Sequence, residues 1–161
     1  MAELSWRSSL RTKFLAMLVV ATVVPSLAAS LIIARREQNS FRQSLESRGR
    51  SLCSYMTMIG RDPLLAGDTI ALDAIVKEVN RDADVLYALV RDKAGELVTS
   101  QYASINYQHE GSKALLEKAA KGAQVADLAA ILAQAYSAVV VEIPVLLDKE
   151  KIGTVTLALA G

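Results

Sequence analysis

Hydrophobic and polar positions give the chain stretches of different rhythm. Phe14–Ala34 reads FLAMLVVATVVPSLAASLIIA and contains no charged residue. At a rise of ~1.5 Å per residue this run spans ~31 Å, close to the ~30 Å hydrocarbon core of a bilayer. Pro25 removes one backbone donor, which membrane helices tolerate. A cleaved signal peptide ending near Leu27-Ala28-Ala29 is the competing assignment. It is disfavoured because the apolar run continues through Leu31-Ile32-Ile33, past a usual h-region. The pattern predicts a transmembrane helix over 14–34.

The next stretch, 35–60, changes to a helical period. Phe41, Leu45, Leu52, Met56 and Ile59 share one face, with Arg36, Gln43, Glu46, Arg50 and Ser54 opposite. This predicts a long stalk helix, its apolar stripe packing on the domain's own sheet and, nearer the membrane, on a second copy. An intrachain stripe alone is the alternative. Asp62-Pro63 is expected to end or bend the helix. Asp68 or Thr69 then caps a second helix, whose Leu72, Ile75, Val76 and Val79 form an amphipathic face.

Beyond it the period shortens. Residues 85–91 (VLYALVR) read as a buried strand, Asp92-Lys93-Ala94-Gly95 as a hairpin turn, and Leu97-Val98-Thr99 as the start of a returning strand. Ala138–Leu147 and Lys151–Ala160 flank the Asp148-Lys149-Glu150 turn as a second hairpin. Between them, Ser112–Lys121 reads as a short helix, and Val125–Tyr136 is alanine-rich, either helix or irregular cover, with room for a hidden third strand in 101–136. Hairpins behind two helices predict an α+β domain on an antiparallel sheet.

Composition and charge sharpen this division. The mean hydropathy of +0.29 is accounted for by the 14–34 segment alone, so the remainder has the balance of a water-soluble domain. Arg7, Arg11 and Lys13 precede the segment against Glu3, and five arginines lie in 35–50 against Glu37 and Glu46. Basic flanks of this kind suit lipid headgroups, so the bilayer is a predicted partner. The Lys and Arg count, three before the segment and five after, leans by itself towards a cytoplasmic soluble domain. From Ser51 onward ten basic residues face fourteen acidic ones, which argues against a nucleic-acid surface.

Little in the chain suggests catalysis. Cys53 is the lone cysteine and reads as a small buried residue, and His109 is the lone histidine, which excludes a disulfide framework and the usual zinc or haem spacings. No phosphate-binding, dinucleotide, GxSxG or HExxH motif is present. His109-Glu110 is followed by Gly-Ser-Lys-Ala, unlike the phosphoacceptor box of histidine kinases. The expectation is a non-enzymatic chain with no cofactor and no metal.

The order of features, including VLYALVRDKAGELVTS and VVVEIPVLLDKEKIGTVTLAL, resembles the single Cache domains, PAS-like extracytoplasmic sensor modules of bacterial membrane receptors. Its most specific parts are Asp84–Gly95, Ile143-Pro144 and Ile152-Gly153-Thr154-Val155, and Leu10–Leu15 is similar to the opening of many sensor histidine kinases. The resemblance implies a basic cytoplasmic N-terminus at 1–13, the transmembrane helix at 14–34, the stalk at 35–60 and a sensor domain at 61–161. It implies an inner-membrane protein with its soluble domain on the periplasmic side, and a fragment of a longer receptor. The implied function is sensory input, with a small solute such as a carboxylate or amino acid bound between sheet and cover, and signalling through a homodimeric stalk. A single-span structural or interaction module with the same fold and no small ligand is the alternative.

Candidate ligand-binding residues follow from that arrangement. Tyr87 and Arg91 share one face of the first strand by period-2 alternation, and an arginine there forks to a carboxylate, or else pairs with Asp92 or solvent. Tyr102, Tyr107 and His109 cluster on an expected loop over the sheet, either as binding groups or as loop packing. Tyr136 is expected to enter a strand and face the same cavity.

Overall fold

The computed structural model of the chain describes residues 10–109, 112, 113, 117 and 122–161. Its elements in order are α1 (Leu10–Ala66), α2 (Thr69–Val79), β1 (Val85–Asp92), α3 (Gln101–Ser104), α4 (Val125–Ala135), β2 (Val139–Leu147) and β3 (Glu150–Leu159). The chain is α+β, with one three-stranded antiparallel sheet in the order β1-β3-β2. It divides into two compact units, Met1–Phe41 and Arg42–Gly161.

In the first unit, Lys13–Ser30 of α1 is long and apolar enough to cross a membrane, with mean hydropathy 1.8. Its polar side chains are satisfied by the helix itself. Thr22 Oγ1 donates to the Leu18 carbonyl at 3.0 Å, Ser26 Oγ to Thr22 at 2.8 Å and Ser30 Oγ to Ser26 at 2.9 Å. Hydroxyls bonded this way carry no open donor into an apolar medium.

In the second unit, the C-terminal half of α1 lies on one face of the sheet. Leu45, Cys53 and Met56 are buried there, with Leu52 partly buried. Gly49 makes the close approach possible: a Cβ on it would lie 2.6 Å from Leu159 Cδ1 and 2.9 Å from Val141 Cγ2. Cys53 Sγ donates to the Val141 carbonyl at 3.7 Å, and burial pushes its thiol up to about 12.

Helix α1 does not end at Asp62-Pro63, one of the two outcomes expected there. It continues to Ala66, where Gly67, at φ +66, takes the left-handed conformation that closes helices. The missing Pro63 N–H costs one bond, while Leu64, the next residue, packs against the core. Tertiary packing outweighs the local break. Helix α2 is capped as expected, with Asp68 Oδ1 accepting from Ala71 N at 3.0 Å, and it buries Leu72, Val76 and Val79. Arg48 ties α1 to the turn before β1, reaching Asp82 and Asp84 at 2.5 Å each.

The second hairpin forms as expected, its turn carried by Asp148 and Lys149 at φ +46 and +72. The first does not. Asp92 and Gly95 make the turn, but the return is a single bridge between Arg91 and Leu97, made by Val98 N donating to the Val90 carbonyl and Asp92 N to the Glu96 carbonyl. The chain then turns away because Ser100 caps α3, its own N–H held by Asp73 at 2.8 Å. Among the described residues of 101–136 no strand is found beyond Ile105, which bridges to Tyr87. Val125–Ala135 resolves to helix. The predicted Ser112–Lys121 helix lies largely outside the described residues.

Candidate functional site

The other face of the sheet changes character along its length. A bulge between Val85 and Tyr87 turns both Leu86 and Tyr87 to this side. There they pack with Leu89, Ile105 and Ala158 under Leu128, Ala129 and Leu132 of α4. Toward the Asp92–Gly95 turn the sheet positions become polar. Arg91 of β1 stands opposite Thr154 of β3, and Glu142 of β2 stands opposite Thr156. Helix α4 offers only Ala126, Ala129 and Ala130 over this end. Short side chains above and polar ones below leave a cleft of about 460 Å³.

The end wall of the cleft is a rigid turn. Asp92 Oδ1 accepts from the backbone N–H groups of Ala94 and Glu96, each at 2.9 Å, and Lys93 pairs with Glu150. Those contacts order the turn, while the Asp92 carboxylate, in no ion pair among the described residues, stays in the cleft wall. Arg91 is half-buried, and its Nε is buried without a hydrogen-bond partner. An open guanidinium donor in a cleft is a group awaiting an acceptor. Tyr87 is 5% exposed, and burial raises its hydroxyl above the ordinary range, with the nearby Arg91 charge opposing the shift. The cleft floor thus sets the Arg91 guanidinium beside threonine hydroxyls and the carboxylates of Asp92 and Glu142.

The six sequence candidates separate into three places. Tyr87 and Arg91 line the cleft together. Tyr102 and Tyr107 line a smaller cavity of about 240 Å³ beside Lys77, Asn80 and Arg81, their rings 6.0 Å apart, with Lys77 Nζ 4.8 Å from the Tyr102 centroid. His109 meets Tyr136 edge-on at 5.0 Å and accepts from Ser112 N through Nδ1 at 3.3 Å. Tyr136 is the C-cap of α4 and enters no strand, because Ser137 at φ +48 reverses the chain first.

Glu142, Lys151, Thr154 and Thr156 line the cleft and escaped the sequence reading. Their signal was present: Glu142 alternates with Val141 and Ile143, and Thr154 and Thr156 flank Val155. That alternation assigns them to a face, but α4 decides that the face is a cleft. Comparison of the chain with family models, with curated proteins and with solved structures finds no match.

Proposed function

We propose that the chain is a sensory input module of the Cache or PAS-like type, anchored in a membrane by the Lys13–Ser30 helix and binding a small carboxylate-bearing solute in the α4 cleft. The observation that carries this reading is the buried, unpartnered Nε of Arg91 on the cleft floor. Binding acts through α1, which packs on the opposite face of the same strands: Val141 meets Gly49, and its neighbour Glu142 lines the cleft. A solute shifts the state of α1 only to the extent that it binds one arrangement of sheet and cover more tightly than another. In this reading the module is periplasmic, homodimeric through α1, and devoid of catalysis.

The test is thermal unfolding of the full chain in detergent against a panel of small carboxylates. Wild-type protein gains melting temperature with at least one of them, and Arg91→Gln does not. Stabilisation that survives in Arg91→Gln, or no stabilisation by any carboxylate, refutes the site. The alternative, an interaction module without a small ligand, draws on Val140 and Leu146, exposed at 48% and 50%. It expects concentration-dependent association that Val140→Ser abolishes, with no response to solutes.

A further inference from the structure

The smaller cavity, of about 240 Å³, shares no lining residue with the α4 cleft. It forms where the end of α2, the helix α3 and the segment after Ile105 meet. Asn80, 7% exposed, is part of its wall. Its Nδ2 donates to the Ala103 and Ser104 carbonyls at 2.5 and 3.1 Å, which fixes the amide. Its Oδ1 is buried and has no donor among the described residues. Unmet buried acceptors are rare in folded proteins, and an occupant with a hydroxyl group satisfies this one.

The rest of the lining sets the charge and shape of that occupant. Lys77 and Arg81 are its charged residues, and no carboxylate lines it. Lys77 enters no ion pair among the described residues and rests over the Tyr102 ring. Arg81 pairs with Glu78 at 2.7 Å, an exposed contact that solvent weakens. A cationic occupant is disfavoured here, and an anionic group with several acceptor oxygens is favoured. Tyr102 and Tyr107, their rings 22° from parallel, supply carbon surface. The volume lies below the ~300–1,000 Å³ of drug-sized sites, so the occupant has the size of a single ring.

We infer that this cavity binds a hydroxylated phosphate ester the size of one sugar. A ligand hydroxyl donates to Asn80 Oδ1, the phosphate lies on Lys77 and Arg81, and the carbon skeleton rests on the tyrosine surface. The inference goes beyond the α4 cleft and does not depend on it. A phosphate without hydroxyls leaves Asn80 unmet, and a sugar without phosphate leaves the two cations unmet.

Calorimetry and thermal shift of the full chain in uncharged detergent, with glucose 6-phosphate, glucose and methyl phosphate, test this. Glucose 6-phosphate is expected to bind about tenfold tighter than either fragment, each of which lacks one of the two recognised groups. Lys77→Gln removes most of the advantage over glucose. Lys77 is exposed, so the ligand-free melting temperature of the variant serves as the folding control. In the assigned NMR spectrum the Asn80 side-chain amide shifts with glucose 6-phosphate and not with methyl phosphate. Glycerol phosphate headgroups of lipids share this chemistry, and nanodiscs separate the two sources. A glucose 6-phosphate response suppressed in phosphatidylglycerol and kept in phosphatidylcholine assigns the site to the headgroup; an equal response in both assigns it to the soluble ester. No binding of glucose 6-phosphate in detergent, affinity no better than that of glucose or methyl phosphate, or an unchanged preference in Lys77→Gln overturns the inference. So does a response lost in Arg91→Gln and kept in Lys77→Gln, which places the ester in the α4 cleft.

Discussion

The two faces of one sheet are built on opposite terms. Under α1 and α2 the face is continuous and apolar, from Val85, Ala88 and Val90 across Val155, Leu157 and Leu159 to Val139, Val141 and Val145. Under α4 the face is apolar for half its length and then becomes Arg91, Thr154, Thr156 and Glu142. The difference lies in the covering helices. Gly49 lets α1 descend onto Leu159 and Val141, so large strand residues close that layer completely. The alanines of α4 lie above polar residues and leave space. One face is closed by packing and the other is left partly open.

Breaking the closed face has the largest effect. Gly49→Val drives methyl groups into Leu159 and Val141, and chemical unfolding should record a loss of about 3 kcal/mol. A comparable loss from an added side chain at the cleft end of α4 would erase the contrast between the faces.

The same closed layer governs a pH response. Cys53 is fully buried and its thiol titrates near 12, against 9.0 for an exposed one. A group raised in the folded state contributes stability that is complete below its unfolded value and is lost as pH climbs toward the folded value. Unfolding free energy should therefore fall by up to about 1.4 kcal/mol per pH unit above pH ~9 on account of this thiol. Cys53→Ala removes that component of the slope, and equal slopes in the two proteins would show the thiol to be accessible.

The rim of the closed face contributes less. Arg48 is about half exposed, and surface ion pairs are worth about 1 kcal/mol or less. Arg48→Gln should cost no more than that at low salt and nearly nothing at ~1 M, where the Debye length is ~3 Å. A larger, salt-insensitive loss would make Arg48 part of the core.

The smallest effect on stability belongs to the open face. Ala130→Phe places its ring in the cleft, and the unfolding free energy should change by less than about 0.5 kcal/mol. The same substitution should abolish stabilisation by any carboxylate that wild type binds.

Much of the fold was legible along the chain. The apolar run in α1, the Asp68 cap, the α2 face and the β2–β3 hairpin each follow from local chemistry that neighbouring residues satisfy by themselves. The failures came where a distant contact competed with a local signal. Asp62-Pro63 reads as an end or a bend, yet Leu64 packs against the core and α1 continues to Ala66. Leu97-Val98-Thr99 reads as a strand, yet Asp73 on α2 holds the Ser100 N–H and starts α3. Tyr136 reads as the entrance to a strand and is the end of a helix.

The candidate site divides in the same way. Period-2 alternation places Tyr87 and Arg91 on one strand face, and the same rule, carried to β2 and β3, adds Glu142, Thr154 and Thr156. Sequence determined which residues share a face, because strand geometry is local. Only the tertiary structure decided that these strands adjoin in the order β1-β3-β2, that α4 covers half of their common face, and that Tyr102, Tyr107, His109 and Tyr136 lie elsewhere. Strand order and helix placement are settled by burial between residues far apart in sequence, a quantity no window of the chain contains.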